Sequence, residues 1–280
     1  MGRGVALEKV IFFGNGPLSE YALAVLKREC QVIFVAHSLA DLEEACRLKR
    51  DIPEAHGVLA SFGVIIREDV LELFEPEGIL NIHPSLLPQY RGASPIESAI
   101  LNGANDFSVS VMKLAAEMDA GPVYYQETIT GAEIGDATGV AVEDGLPLDK
   151  LAIYRMLAET GAKWICDNLG DLPTPVLQAG KPTFCGKFTK KMGVLQPETD
   201  TAELTLRKIV AFQGYPKPKY AFFGTNCTIL GAHMLSGDET AVLPLPCADG
   251  GVISIDRLQP EGRKAMDAKS FKNGYGRAEG

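Results

Sequence analysis

Near its start the chain alternates short apolar runs with helix-like segments: KVIFF, LSEYALAVLKREC, QVIFVA, SLADLEEACRLKRD and GVLASF. Continuous apolar runs this short suit strands buried on both faces, and a helix between successive runs returns the chain to a parallel neighbour. A parallel α/β sheet is therefore expected. Ser38, three positions before Asp41, predicts a helix start, and IREDVLELF, followed by Pro76 and Gly78, predicts a short helix that is then stopped. A strand carrying Asn81 comes next, then a helix near SPIESAILNG. SVSVMKL and PVYYQETI read as two strands joined by the turn AAEMDAG, and a long helix is expected from Leu148 to Asn168.

GDLPTPVLQAGKPTF is rich in turn formers and reads as a linker over the surface. Beyond Leu195 the pattern changes to one helix, TAELTLRKIVAF, and alternating strand-like runs YAFF, CTILGAHML, AVLPL and VISIDRL. This predicts a small β-rich module, barrel-like, after the α/β part. The last residues, GYGRAEG, are expected to fray.

With 46% hydrophobic residues and a net charge of −9, the composition is that of an ordinary globular protein. Residues 195–280 hold 10 Lys and Arg against 10 Asp and Glu, so the acidic excess lies wholly in residues 1–194. That balance argues against general nucleic-acid binding, while Lys217, Lys219, Arg263, Lys264, Lys269 and Lys272 leave room for a local basic face. No run of 18 apolar residues occurs, and MGRGVALEKVIFFG breaks into charge and glycine too soon for a signal peptide. A cytoplasmic protein without a membrane anchor is expected. The six cysteines lie at least 16 positions apart, which suits buried free thiols and no metal. FFGNGPLSE lacks the third glycine of a dinucleotide fingerprint and the lysine of a P-loop, so it reads as a tight strand-to-helix turn.

The segment ILNIHPSLLPQYRGASPI, from Ile79, places Asn81 and His83 two positions apart where a strand enters a turn. Residues i and i+2 share one face of a strand, and ligands of open α/β sheets bind at the carboxyl ends of strands. Asn and His also end strands for turn reasons alone. Asp119, in MDAG between two predicted strands, either caps its own turn or lies beside His83. If the three converge, Asp119 would orient or charge His83, His83 would move a proton, and the Asn81 amide would donate to a developing oxyanion. Without an activated Ser or Cys, such a set suits direct attack on an acyl carbon by a substrate amine.

NIHPSLLPQYRGASPI followed by MDAGP resembles the folate-dependent formyltransferases, whose active site is marked by Asn-x-His, Ser-Leu-Leu-Pro and a later Asp-x-Gly. FCGKFTKKMG, IVAFQGYP and LQPEGRKAMDAKSFKNGY resemble the linker and C-terminal module of the branch that formylates methionyl-tRNA. The resemblance implies a Rossmann-like N-terminal formyltransferase domain over 1–190 and an OB-like β-barrel domain over 195–280. It implies 10-formyltetrahydrofolate as donor, initiator methionyl-tRNA as acceptor, and Asn81, a protonated His83 and Asp119 as the catalytic set. Phe62, Gly63, Val64, Ile65, Ala115, Ala116, Glu117 and Met118 would bind the folate, and Ser85, Leu86, Leu87, Pro88 and Arg91 the acceptor. One departure stands out. The tRNA enzymes carry a long basic insertion after the second strand, where this chain has only HSLADLEEACRLKRD. That shortness favours a sugar-nucleotide acceptor, while the C-terminal segment favours tRNA.

Overall fold

The computed structural model describes residues 7–235 and 237–276. Expectations for the first six residues and for the final Arg-Ala-Glu-Gly lie outside that range. The chain runs β1 (Lys9–Gly14), α1 (Pro17–Glu29), β2 (Gln31–Ala36), α2 (Leu42–Asp51), β3 (His56–Ala60), α3 (Glu68–Leu71), β4 (Ile79–His83), β5 (Arg91–Gly92), α4 (Pro95–Leu101), β6 (Asp106–Lys113) and β7 (Val123–Thr130). It continues through α5 (Gly131–Thr138), β8 (Val142–Glu143), β9 (Leu146–Pro147), α6 (Lys150–Asn168), β10 (Phe184–Cys185) and α7 (Ala202–Ala211). The last elements are β11 (Lys219–Phe222), β12 (Thr225–Met234), β13 (Pro244–Pro246), β14 (Val252–Pro260), β15 (Met266–Asp267) and α8 (Ala268–Tyr275).

Two compact units result, and they are not consecutive in sequence. The first comprises the chain up to Ile96 with Asp106–Thr130 and Leu151–Gly186. The second comprises Glu97–Asn105, Gly131–Lys150 and everything from Lys187 onward.

In the first unit six strands order as β2-β1-β3-β4-β6-β7. β1 to β4 pair in parallel and β6 and β7 close the edge antiparallel. Val10, Ile11, Phe12 and Phe13 are each 0% exposed, so β1 is buried on both faces, as its unbroken apolar run requires. Pro17 opens α1, where a missing N–H costs nothing, and Lys27 and Arg28 lie in its last turn, where the macrodipole favours them. The Asp41 carboxylate accepts hydrogen bonds from the His37 and Ser38 backbone N–H groups and from the Ser38 hydroxyl, which fixes the start of the α2 region. Phe13, Leu59, Phe62, Ile66, Phe74 and Ile79 form the core between this sheet and α2.

In the second unit β11-β12-β14-β13, with β15 on β14, make a five-stranded antiparallel sheet, the small β module expected. Its register shifts at Gly231 bend β12. Phe222, Ile229, Ile253, Ile255, Leu258 and Phe271 fill its core with Leu206 and Ile209 of α7. The helix α5 and the β8–β9 hairpin were not foreseen from the sequence.

All six cysteines are free. Cys166 and Cys185 are only half-buried rather than buried, and Cys30 and Cys166 bring their Sγ atoms to 3.4 Å across 136 positions of chain. Among the described residues no group of three or more His, Cys, Asp or Glu is placed to hold a metal ion, and no helix is long and apolar enough to cross a membrane.

Candidate active site

β4 delivers Asn81 and His83 to one face of the sheet at its carboxyl end, each 5% exposed. β6 lies antiparallel beside it, with Leu114 N–H donating to the Ile79 carbonyl. The loop after β6 then carries Asp119 back to His83, whose Nδ1 lies 3.7 Å from Asp119 Oδ1. Gly121 permits that return, because a Cβ there would meet the Lys113 carbonyl oxygen at 1.9 Å. The other carboxylate oxygen of Asp119 accepts the Gly92 N–H at 2.8 Å. The three residues read from the sequence are thus brought together.

His83 Nε2 lies 3.0 Å from the Tyr90 carbonyl oxygen. A carbonyl only accepts, so Nε2 carries a proton and Nδ1 faces Asp119. Burial pushes the imidazole below its ordinary range, and the Asp119 charge and the Tyr90 carbonyl offset this only in part. Against the expectation of a His83 held protonated, burial thus favours the neutral ring while the Asp119 charge opposes it. Among the described residues, none hydrogen-bonds the Asn81 side chain. Its amide is not sealed from solvent, so it is available to a ligand at the carboxyl end of β4.

The Ser85–Pro88 turn is stitched down by two residues the sequence gave no reason to notice. Ser110, 0% exposed, donates from its hydroxyl to the Ser85 carbonyl at 2.6 Å and accepts the Leu87 N–H at 3.1 Å. Gln126 Nε2 reaches both Ser110 Oγ and the Leu87 carbonyl at 2.9 Å. Ser85 donates in turn to the Gln89 carbonyl, and Leu87 and Pro88 are buried, which leaves Leu86, at 43%, as the exposed side chain of the group. Arg91 is 8% exposed. Its Nε and Nη2 are spent on Gln178 Oε1, and its Nη1 lies 3.5 Å from Glu117. These contacts tie it to the Gln178 and Glu117 side chains of the surrounding loops.

The two stretches expected to hold a folate follow β3 and β6. Phe62 is buried, Val64 half-buried, and Ile65 stands 80% exposed beside Gly63, whose φ of +71° faces open space. Leu114, just before Ala115, and Val64 both pack against the cluster that holds Phe62. Ala115 is half-buried, while Ala116, Glu117 and Met118 are exposed. Apolar side chains, small residues and accessible backbone are what a flat heteroaromatic ring needs.

With this geometry in place, the relationships of the chain are decisive. Residues 25–140 match the formyl transferase family model, and residues 187–276 match that of the formyl transferase C-terminal domain. A methionyl-tRNA formyltransferase of Dehalococcoides mccartyi is 34% identical over 261 residues, covering 86% of this chain and 77% of that protein. One from Thermus thermophilus is 31% identical over 245 residues, covering 83% and 74%. The chain belongs to the formyl transferase family. Among solved structures, HypX from Aquifex aeolicus, in complex with tetrahydrofolic acid, shares the fold with a TM-score of 0.68 at 16% identity, over 98% of this chain and about half (48%) of that one. The methionyl-tRNA formyltransferase from Clostridium thermocellum does so with a TM-score of 0.60 at 16% identity, over 91% of this chain and 98% of that one.

Proposed function

We propose that the enzyme transfers a formyl group from 10-formyltetrahydrofolate to the α-amino group of initiator methionyl-tRNA, with catalysis in residues 1–190 and the module of 195–280 serving the acceptor. The observation that carries the chemistry is His83 held between the Tyr90 carbonyl at Nε2 and Asp119 near Nδ1, with Asn81 two positions before it on the same strand face. The acceptor is supported by the relatives at 31% and 34% identity, both methionyl-tRNA formyltransferases.

The Phe62–Ile65 and Ala115–Met118 stretches would hold the folate. When bound, it supplies an N-formyl carbonyl, on whose oxygen negative charge builds as an amine adds to the carbon. Asn81 donates its amide N–H to that oxygen. His83, neutral and holding its Nε2 proton on the Tyr90 carbonyl, presents Nδ1 to take the proton that the amine sheds. Asp119 then stabilises the imidazolium as it forms, and His83 would return that proton to the folate nitrogen as its bond to the formyl carbon breaks, releasing tetrahydrofolate; a resting ring that was already charged would have no room for the amine proton. Leu86 is the exposed apolar side chain of the Ser85–Pro88 turn and would touch the acceptor.

The test offers charged initiator tRNA and an amino sugar-nucleotide side by side with 10-formyltetrahydrofolate. Formylation of the aminoacyl-tRNA is expected. Transfer to the sugar alone would overturn the acceptor, and transfer to neither would overturn the reaction.

A further inference from the structure

The segment that reads as a surface linker is bonded along its length to the loops that carry the site. Val176 exchanges both backbone hydrogen bonds with Val123, at 2.7 and 2.8 Å. Gln178 Nε2 donates to the Asp119 and Gly121 carbonyls, each at 2.8 Å, while its Oε1 receives Arg91. Thr183 Oγ1 accepts the Tyr90 N–H at 2.9 Å, and the Thr183 backbone bonds Pro88 and Arg91. β10 then pairs in parallel with β5, Cys185 against Gly92. Gly92 has no alternative there, since a Cβ would meet the Cys185 carbonyl oxygen at 2.2 Å.

Two of the residues so gripped are the two that hold His83. Tyr90 gives the carbonyl on Nε2, and Asp119 gives the carboxylate near Nδ1. Both sit in the left-handed region, with φ of 55° and 50°. Such a conformation costs a residue with a Cβ roughly 1–2 kcal/mol and persists where neighbours enforce it. The bonds from the segment fall on the backbone of these same two residues, the N–H of Tyr90 and the C=O of Asp119. Relaxation of either would swing away one of the two groups between which the imidazole is suspended.

We propose that Val176–Cys185 is a positioning brace for formyl transfer, in which Gln178 sets Asp119 and Thr183 sets the Tyr90 carbonyl, so that together they fix the orientation of His83. Neither residue touches a reacting atom; both act through others. The proposal rests on the formyl-transfer reading for its kinetic consequence, but its effect on His83 is independent of turnover. The charged group facing His83 is Asp119, next to which Arg91 and Glu117 pair with each other. A loosened Asp119 gives the imidazole less help in taking a proton, so His83 titrates lower still.

The experiment compares Gln178→Met, Thr183→Val and Thr183→Ser with wild type by steady-state kinetics and by NMR titration of His83, assigned among the four histidines with a His83→Gln control. Gln178→Met and Thr183→Val should lower kcat by about 10- to 100-fold with KM for both substrates little changed. Gln178→Met should also move the His83 midpoint to lower pH. Thr183→Ser, which keeps the hydroxyl, should restore turnover, whereas a merely space-filling threonine would favour valine. A His83 midpoint unmoved in Gln178→Met, or equal loss in Thr183→Ser and Thr183→Val, overturns the brace. A wild-type protein that formylates no acceptor overturns the reaction instead, and the His83 midpoint still decides the brace.

Discussion

At Asn81 activity and folding can be separated. Its side chain, 5% exposed, takes no hydrogen bond from the described residues. Its removal should therefore do little harm to folding while removing the donor on which charge stabilisation depends. Asn81→Ala is expected to lower kcat by ~100- to 1,000-fold without lowering the melting temperature, checked by kinetics and thermal unfolding on one preparation. His83 makes a second prediction, through linkage. Burial depresses its proton affinity in the folded state, so the unfolded imidazole, with a pKa of about 6.5, protonates first as the pH falls. The stability it contributes is whole above that pH and drains away as the pH drops toward the folded value. His233 runs the other way. Its hydrogen bonds to Asp256 at 3.0 Å and Glu239 at 2.9 Å raise its proton affinity, so its contribution is whole below about 6.5 and is lost as the pH rises through the folded value. Urea midpoints across this range should lose their acid-side decline in His83→Gln and their alkaline-side decline in His233→Gln.

Among the elements, the start of α6 is tied to α4 and α7 by one buried cation. Lys150 Nζ donates to Glu97 Oε1 at 2.8 Å and to the Ala211 carbonyl at 2.7 Å, and Lys150 and Glu97 are 5% and 8% exposed. Breaking a buried pair from one side strands the other charge, which typically costs about 3–5 kcal/mol, whereas removing both charges costs much less. Lys150→Met should destabilise by that amount, and Lys150→Met with Glu97→Gln should recover part of it in a double-mutant cycle read by denaturant unfolding. Nothing in the sequence announced this pair, and the contrast with what was legible is physical. β1 to β4 and α1 to α2 follow from apolar periods and from the Ser38–Asp41 start, signals contained within a few residues. Strand alternation put Asn81 and His83 on one face, but turn readings stayed open for them and for Asp119 until NIHPSLLPQYRGASPI and MDAGP were matched to the formyltransferases. The brace was not legible: Gln178 and Thr183 find partners 57 to 93 positions away, so a segment of turn formers read as a linker. The burial of Arg91 on Gln178 was hidden for the same reason, because it is a tertiary fact. The helix α5 and the β8–β9 hairpin escaped notice because glycines 131, 135, 139 and 145 dilute any periodic pattern. Their closeness is imposed by packing, as at Gly131, where a Cβ would meet the Gly145 carbonyl oxygen at 1.7 Å.

For the whole molecule, the proposed tRNA acceptor raises the question of how a chain of net charge −9 would bind a polyanion. Only His37–Asp41 separates β2 from α2, so no long basic segment follows the second strand, and Arg91 is buried. The remaining means is local. Residues 195–280 are neutral in sum, and Lys217, Lys219, Arg263, Lys264, Lys269 and Lys272 are all exposed there. Each phosphate neutralised by such a cation releases counterions and adds ~0.9 to the slope of log affinity against log salt for a duplex. The KM for methionyl-tRNA should therefore rise steeply with salt while the KM for the folate donor, a small molecule bound by apolar walls, stays nearly level. Lys264→Glu with Lys269→Glu should raise the tRNA KM and flatten its salt slope by about two such increments, leaving kcat at saturating tRNA close to wild type because neither lysine belongs to the formyl-transfer site. A tRNA KM indifferent to salt, or a slope unchanged in the double variant, would place the acceptor on some other surface. Equal salt slopes for both substrates would instead assign the effect to the ionic environment of Asp119 and His83, and the NMR midpoint of His83 measured at the same two salt concentrations separates that outcome from a loss of tRNA contacts.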